Sequence, residues 1–332
     1  MKSWGAVLSA VVVSVALVGE SAWAIPTLPI LGDAQSFAVL GSSTVTNTGA
    51  SSITGNLGVW SSGGADAVSG FAGSPTNTIA LTSTGAVTGS GGVVNAPSEI
   101  YAGGPTPQAA QGGLTAAITA LTGLAGSATD ETGHDLGTSG TLPINDLLPG
   151  VYSWSSTAYL NGALTLNANG QNGVGWVFLI GSSLTTAAGP GAASVGFENL
   201  GTDEGFDDGV YWVCETGSAT LGTYTAFEGN LLAYASITAQ TGATDLNGRL
   251  LASTGAVSLD DNEIYNVCPS GPPGNGGPGL SGGLELGPNG ELEVVTSGES
   301  VSTVPEPCTL LLLGSGLAGL LARARRSRRS VA

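Results

Sequence analysis

"ATLGTYTAFEGNLLA" (residues 219–233) is followed, after three residues, by "ITAQTGATDLNGRLLA" (237–252), and the two align with Gly229 over Gly248 and Ala233 over Ala252, each pair 19 apart. "STGAVS" at 253–258 takes up the pattern again and echoes "STGAVT" at 83–88. A repeat of this length fits one coil of a β-solenoid, in which every coil contributes short strands that stack in parallel on the next. A β-sandwich of similar hairpins is the alternative that this stretch alone leaves open.

Working outward, strand-like runs recur between Gly-rich turns: "SFAVLGSSTVTN", "SSITGNLGVW", "GVYSWSS", "GALTLNA", "GWVFLIGSSLTTAAG" and "GVYWVCE". Most are four to eight residues of Val, Ile, Leu, Thr and aromatics alternating with small polar residues. The chain of 332 residues carries 55 glycines and only 9% charged residues, a composition that excludes a helical globule and favours many short strands. One segment differs. In "TPQAAQGGLTAAITALTGLAG", Thr106 can cap a helix with Pro107 at its first position, and Leu114, Ile118 and Leu121 fall on one stripe. The expectation is one helix of about four turns lying along the β-body.

Both ends carry processing signals. Residues 1–24 read as a signal peptide, with Lys2, an apolar stretch from Ala6 to Val18 and the small-x-small site Ala22-Trp23-Ala24, so the exported chain begins near Ile25. A lead-in covers 25–32, and a Gly/Pro-rich and acidic linker with a small hairpin or spacer covers 267–303. Near the other terminus Pro305-Glu306-Pro307, the apolar run Thr309–Ala322 and "RARRSRR" resemble a PEP-CTERM sorting signal over 304–332. That resemblance implies transient inner-membrane anchoring through 309–322, an exosortase as processing partner, and delivery to the outer envelope or an exopolysaccharide matrix. A permanent membrane anchor is the competing reading of the same run.

Removing both ends leaves 22 acids against one base, Arg249, between residues 25 and 304, a net charge of −21. Such a surface repels nucleic acid and anionic lipid, which excludes both as partners. Arg249 reads as structural, pairing with an acid or capping backbone carbonyls inside the repeat. Cys214 and Cys268 are the two cysteines of the exported part, and an oxidising compartment predicts a disulfide between them, with free thiols as the alternative. His134 stands alone and no Cys/His metal spacing occurs, so no metal or cofactor is expected. "TDEGFDDG" (202–209) and "DDNE" (260–263) gather carboxylates without the regular ligand spacing of a calcium loop and read as solvated turns. A carboxylate pair from Asp207-Asp208 or Asp260-Asp261 is available in principle for acid–base work, but with one Arg and one His to support it an enzyme is not expected.

"SFAVLGSSTVTNTGASSITGNLGV" (36–59), the Ala-rich helix, "GWVFLIGSSLTTAAG" (175–189), "GVYWVCETGSATLGTYTAFEGNLLA" (209–233) and "TGATDLNGRLLASTGAVSLD" (241–260) together resemble the ice-binding-protein-like domain of microbes. The resemblance spans roughly 33–266. It implies a discontinuous right-handed β-helix of triangular cross-section with one long α-helix alongside, and ice as the partner of one flat face. The family's Thr-Ala/Gly-x-Thr/Asn pattern falls here on Thr241-Gly242-Ala243-Thr244, with Thr223 and Thr225 one coil earlier; Thr44, Thr46, Thr48, Thr185 and Thr186 are the other threonines expected to extend the face. "GATDLNG" carries one residue more than the usual form, and acidic Asp245 stands beside the motif. A surface or matrix adhesion protein without ice activity is the alternative function.

Overall fold

The computed structural model describes residues 30–296, apart from breaks at 61–66, 72–87, 96–97, 203, 206, 267–279 and 287–290. The expected signal peptide, the sorting signal and Cys268 lie outside the described residues.

Short parallel strands wind into three faces. The first is a nine-stranded sheet in the spatial order Ile100–Ala102, Asn56–Val59, Phe37–Gly41, Arg249–Ala252, Asn230–Ala233, Gly209–Cys214, Gly175–Ile180, Gly150–Trp154 and Thr129–Asp130. The other two faces are joined into one 16-stranded sheet through Thr88–Val94, which pairs with Val68–Phe71 on one side and Ser52–Thr54 on the other. The order is discontinuous in sequence: Val39 pairs with Leu250 and Val45 with Val257, so the first coils of the chain stack on the last. The solenoid expected from the repeat is therefore present, and the sandwich is not.

This order creates a connection problem that the helix solves. The chain leaves the first coils at Ala102, at one end of the nine-stranded sheet, and must resume at Thr129, at the other. Nine strands at about 4.8 Å span roughly 38 Å. The α-helix Pro105–Thr122 and the 3₁₀ segment Gly123–Ser127 rise about 37 Å together. The helix starts with Pro105 at its first turn behind Gly104, whose φ of 89° no capping side chain shares, so Thr106 lies inside the helix rather than capping it. Ala110, Leu114, Ala117 and Leu121 are buried, and Ile118 borders them.

Two cores result. Inside the coils, Trp154, Trp176, Trp212, Phe178 and Phe227 are buried, with Phe178 and Trp212 stacked at 3.9 Å between ring centroids. Each indole N–H is satisfied by a backbone carbonyl, of His134, Leu147 and Glu228 respectively. Between the nine-stranded sheet and the helix, Phe37, Leu40, Val177, Tyr211, Val213, Leu232 and Leu251 pack against the helical stripe. Both sides of this sheet are covered, which is why its strands read as continuous apolar runs.

Cys214 faces the inner core and is a free, buried thiol, pushed up to about 12 by burial; the predicted disulfide is not formed by it here. Arg249 is also fully buried, and it caps as expected: Nε donates to the Gln35 carbonyl at 3.0 Å and a terminal nitrogen to Asn230 Oδ1 at 2.5 Å.

Candidate functional site

The strands of the second face are mostly three residues long and alternate buried, outward, buried. Their middle residues pair strand to strand in one register: Thr185 with Thr220, Thr220 with Thr238, Thr238 with Ser258, Ser258 with Thr46, and Thr46 with Ser69. Six consecutive strands thus put a hydroxyl outward at a spacing of about 4.8 Å. Two residues earlier along the strands runs a second rank, Ser183, Ser218, Ser236, Ala256 and Thr44, linked by backbone hydrogen bonds from each following strand residue.

The second rank is held by its own backbone. Ser183 Oγ accepts from the Ser218 N–H at 3.3 Å, Ser218 Oγ from the Ser236 N–H at 3.2 Å, and Ser236 Oγ from the Ala256 N–H at 3.1 Å. An oxygen that accepts from the main chain keeps its own O–H to donate outward. In the first rank Thr46 donates to Ser258 at 3.3 Å. No acid or base stands on either rank across these strands; Tyr159, half-exposed, takes the next place after Thr185.

The third face is different in kind. Its outward row is Ala163, Ser194, Ala226, Thr244, Glu263 and Ser52, with exposed Glu198, Leu246 and Tyr265 nearby. Charges and large side chains interrupt it.

The threonines expected from the sequence separate accordingly. Thr46 and Thr185 lie on the first rank, Thr44 on the second, and Thr48 is exposed just beyond, at the corner. Thr186 and Thr225 are buried and hydrogen-bonded to each other at 2.6 Å, and Thr186 Oγ1 also accepts from the Gly222 N–H. Thr186 turns inward because strand alternation sends the neighbour of an outward Thr185 into the core, and Thr225 precedes the outward Ala226 of the third face. Thr223 lies in the turn, its carbonyl accepting from Gly189 N–H. Thr241-Gly242-Ala243-Thr244 wraps the corner between the second and third faces: Thr241 donates to Asp260 at 2.5 Å, and Thr244 belongs to the third face between Ala226 and Glu263. Tyr224, at φ 59°, lies over Gly242, where a Cβ would strike its ring. The 223–225 and 241–244 segments therefore do not make one planar array. Thr220, Thr238, Ser258, Ser69 and the serine rank escape a search for a threonine motif, yet aligning "SLTT", "SATL", "SITA", "AVSL", "TVTN" and "AVSG" by strand reveals them.

Asp245 does not stand at the surface. The register is offset by 18 between Phe227 and Asp245 but by 19 between Asn230 and Arg249, so the additional residue is absorbed in the corner 246–248, and Asp245 points fully buried into the interior. Burial pushes its carboxyl well above the ordinary range, with Glu228 adding to the shift and Arg249 opposing it. Asp245 therefore binds its proton more tightly folded than unfolded. Stability from this group is greatest below the unfolded value near pH 4 and is lost as pH rises toward the folded value, by up to about 1.4 kcal/mol per pH unit. Asp245→Asn is expected to flatten the fall of Tm between pH 4 and pH 7 and to raise Tm at pH 7, measured by thermal unfolding across that range.

The remaining acidic pairs serve turns. Asp208 accepts from the Val174 N–H at 2.9 Å and Asp261 from the Ala50 N–H at 2.5 Å, while Asp260 takes the Thr241 hydroxyl. Among the described residues no group of three or more His, Cys, Asp or Glu side chains is placed to hold a metal ion.

A triangular β-solenoid with a side helix and one flat, uncharged hydroxyl face is the class these features define. Residues 39–265 match the Ice-binding-like family, and the chain belongs to that family. Residues 303–326 match the PEP-CTERM protein-sorting motif. The chain is 36% identical to an ice-binding protein of Nostoc sp. (strain HG1) over 296 residues, 89% of this chain and 86% of that one. It is 33% identical to an ice-binding protein of Leucosporidium sp. (strain AY30), covering 68% of this chain and 78% of that one. Among solved structures, the ice-binding protein of the Antarctic ascomycete Antarctomyces psychrotrophicus superposes with a TM-score of 0.54 at 31% identity, over 71% of this chain and 96% of that one. A glycosylated ice-binding protein from an Arctic yeast gives 0.56 at 26% identity, over 73% and 95%.

Proposed function

We propose that this protein is exported, acts without catalysis, and adsorbs to ice through the second face of its solenoid. The observation that carries the reading is the unbroken row Thr185–Thr220–Thr238–Ser258–Thr46–Ser69, flanked by the backbone-held serine rank. Ice is a neutral lattice of hydrogen-bond donors and acceptors. Regularly spaced hydroxyls hold water in an ordered layer, and their methyls favour ordered water around them. β-Branched side chains on a rigid sheet have few rotamers to lose on binding. A strongly hydrated charge would keep its own water shell, and these two ranks contain none.

The family and the two named relatives support ice as the ligand. The sorting motif supports export, passage through the inner membrane held by 309–322, and processing by an exosortase at the envelope. Purified residues 25–304 are expected to slow ice recrystallisation at micromolar concentration and to shape growing crystals. Absence of crystal shaping, thermal hysteresis and recrystallisation inhibition, together with retention on an exopolysaccharide column, would move the assignment to a matrix protein.

A further inference from the structure

The stretch "LSGG" (280–283) and the strands Leu284–Leu286 and Leu292–Val294 fall in what composition marks as linker, beyond residue 265 where the family match ends. In the structure they are bonded into the folded body. The Val210 N–H donates to the Leu280 carbonyl at 2.8 Å, the Gly175 N–H to the Val295 carbonyl at 3.0 Å, and the Gly282 N–H to the Asp208 carbonyl at 3.1 Å. Tyr211, buried in the core beneath the helix, donates its hydroxyl to the carbonyls of Ser281 and Gly282. The segment also reaches the polar knot around Arg249: Asn230, which accepts from Arg249, donates to the Leu280 carbonyl at 2.7 Å, and Gln35 donates to Ser281 Oγ at 2.5 Å.

Glycines make this contact possible. A Cβ on Gly209 would collide with the Gly282 carbonyl, one on Gly282 with the Asp207 carbonyl, and one on Gly283 with the Val174 carbonyl. Backbone approaches backbone at all three places, and neither side can yield by moving a side chain. The hairpin then covers the apolar outer side of the nine-stranded sheet next to the helix, with Leu284, Leu292 and Val294 packed against that core and Val295 buried.

We infer that residues 280–286 and 291–295 form a strap that belongs to the folded domain, so that removal of the sorting tail leaves the strap in place and the body compact and protease-resistant. Its Gly-Gly is required for close packing rather than for freedom. A spacer would be cut readily and its loss would cost nothing; a strap resists cutting and its loss uncovers Tyr211 and the sheet around it.

Limited digestion of the full chain with a broad-specificity protease, read by mass spectrometry, tests this without any substitution. The resistant fragment is expected to end at or beyond Thr296. In the full chain Gly282→Ala is expected to move that end to before Leu280 and to lower Tm by about 5 °C or more, and Tyr211→Phe to lower Tm less with the strap still protected. A wild-type fragment ending before Leu280, or a Gly282→Ala protein with unchanged fragment and Tm, would overturn the inference. Should Gly282→Ala fail to fold, the wild-type digestion decides alone.

Discussion

Thr238→Tyr is expected to weaken ice-recrystallisation inhibition roughly tenfold or more while leaving Tm and the circular dichroism spectrum unchanged. Thr238 is exposed at the centre of the first rank, paired with Thr220 on one side and Ser258 on the other, so nothing in the core depends on its side chain. A phenol there stands proud of the plane on both sides and separates several neighbouring hydroxyls from a flat crystal surface at once. Adsorption to a solid relies on simultaneous contact, and the loss is expected to be roughly tenfold or more in the concentration needed, about 1.4 kcal/mol for each decade. Thr244→Tyr is the matched comparison. It changes the same residue type one corner away, on the charged third face beside Glu263, and is expected to keep activity. Loss of activity with Thr244→Tyr and not with Thr238→Tyr would place the adsorbing surface on the third face instead.

The contrast shows what a sequence discloses about a solenoid and what it conceals. Periodicity near 19 and glycine at corners are properties of the coil itself, so 219–258 pointed to a solenoid while a sandwich of similar hairpins stayed open until the family resemblance was read. The apolar stripe of the Ala-rich stretch already placed one helix along the β-body, and the distance the chain must travel from Ala102 to Thr129 accounts for its length. The face was harder. Which threonine points outward depends on strand parity, and one residue of uncertainty inverts it, as Thr185 and Thr186 demonstrate from adjacent positions. A local motif such as Thr241–Thr244 also conceals a bend, because a corner looks like a strand when only residue types are counted. The serine rank was hidden for another reason: its serines fall outside a threonine pattern, yet the backbone amides that fix them follow from stacking in register. Gly282 and Gly283 stand where backbone meets backbone, a use of glycine that composition does not separate from flexibility.

Arg249→Leu is expected to cost about 3–5 kcal/mol of folding stability, a fall in Tm on the order of 10 °C, read by chemical and thermal denaturation. Arg249 is the sole base between residues 25 and 304, fully buried where the last coil meets the first. Its guanidinium donates in two directions, to the Gln35 carbonyl ahead of the first strand and to Asn230 on the neighbouring coil, and Asn230 passes the connection to Val210 and Leu280 through its amide. Leucine fills part of the volume but leaves Asn230 Oδ1 without its Arg249 donor in a dry site, where it carries a desolvation penalty, and takes one donor from the Gln35 carbonyl, which keeps Asn266 Nδ2 at 3.1 Å. It also removes the cation that opposes the upward shift of the Asp245 carboxyl, so the stability lost is expected to be greater at pH 7 than at pH 4. Arg249→Lys retains the charge but presents a single compact ammonium in place of a planar fork, and it is expected to recover only part of the loss. Equal stability of Arg249→Leu and wild type would mean that strand pairing and apolar packing join the first coil to the last without help from the guanidinium. A loss that is the same at pH 4 and pH 7 would leave the hydrogen-bonded knot intact as the cause and remove the electrostatic contribution of Asp245.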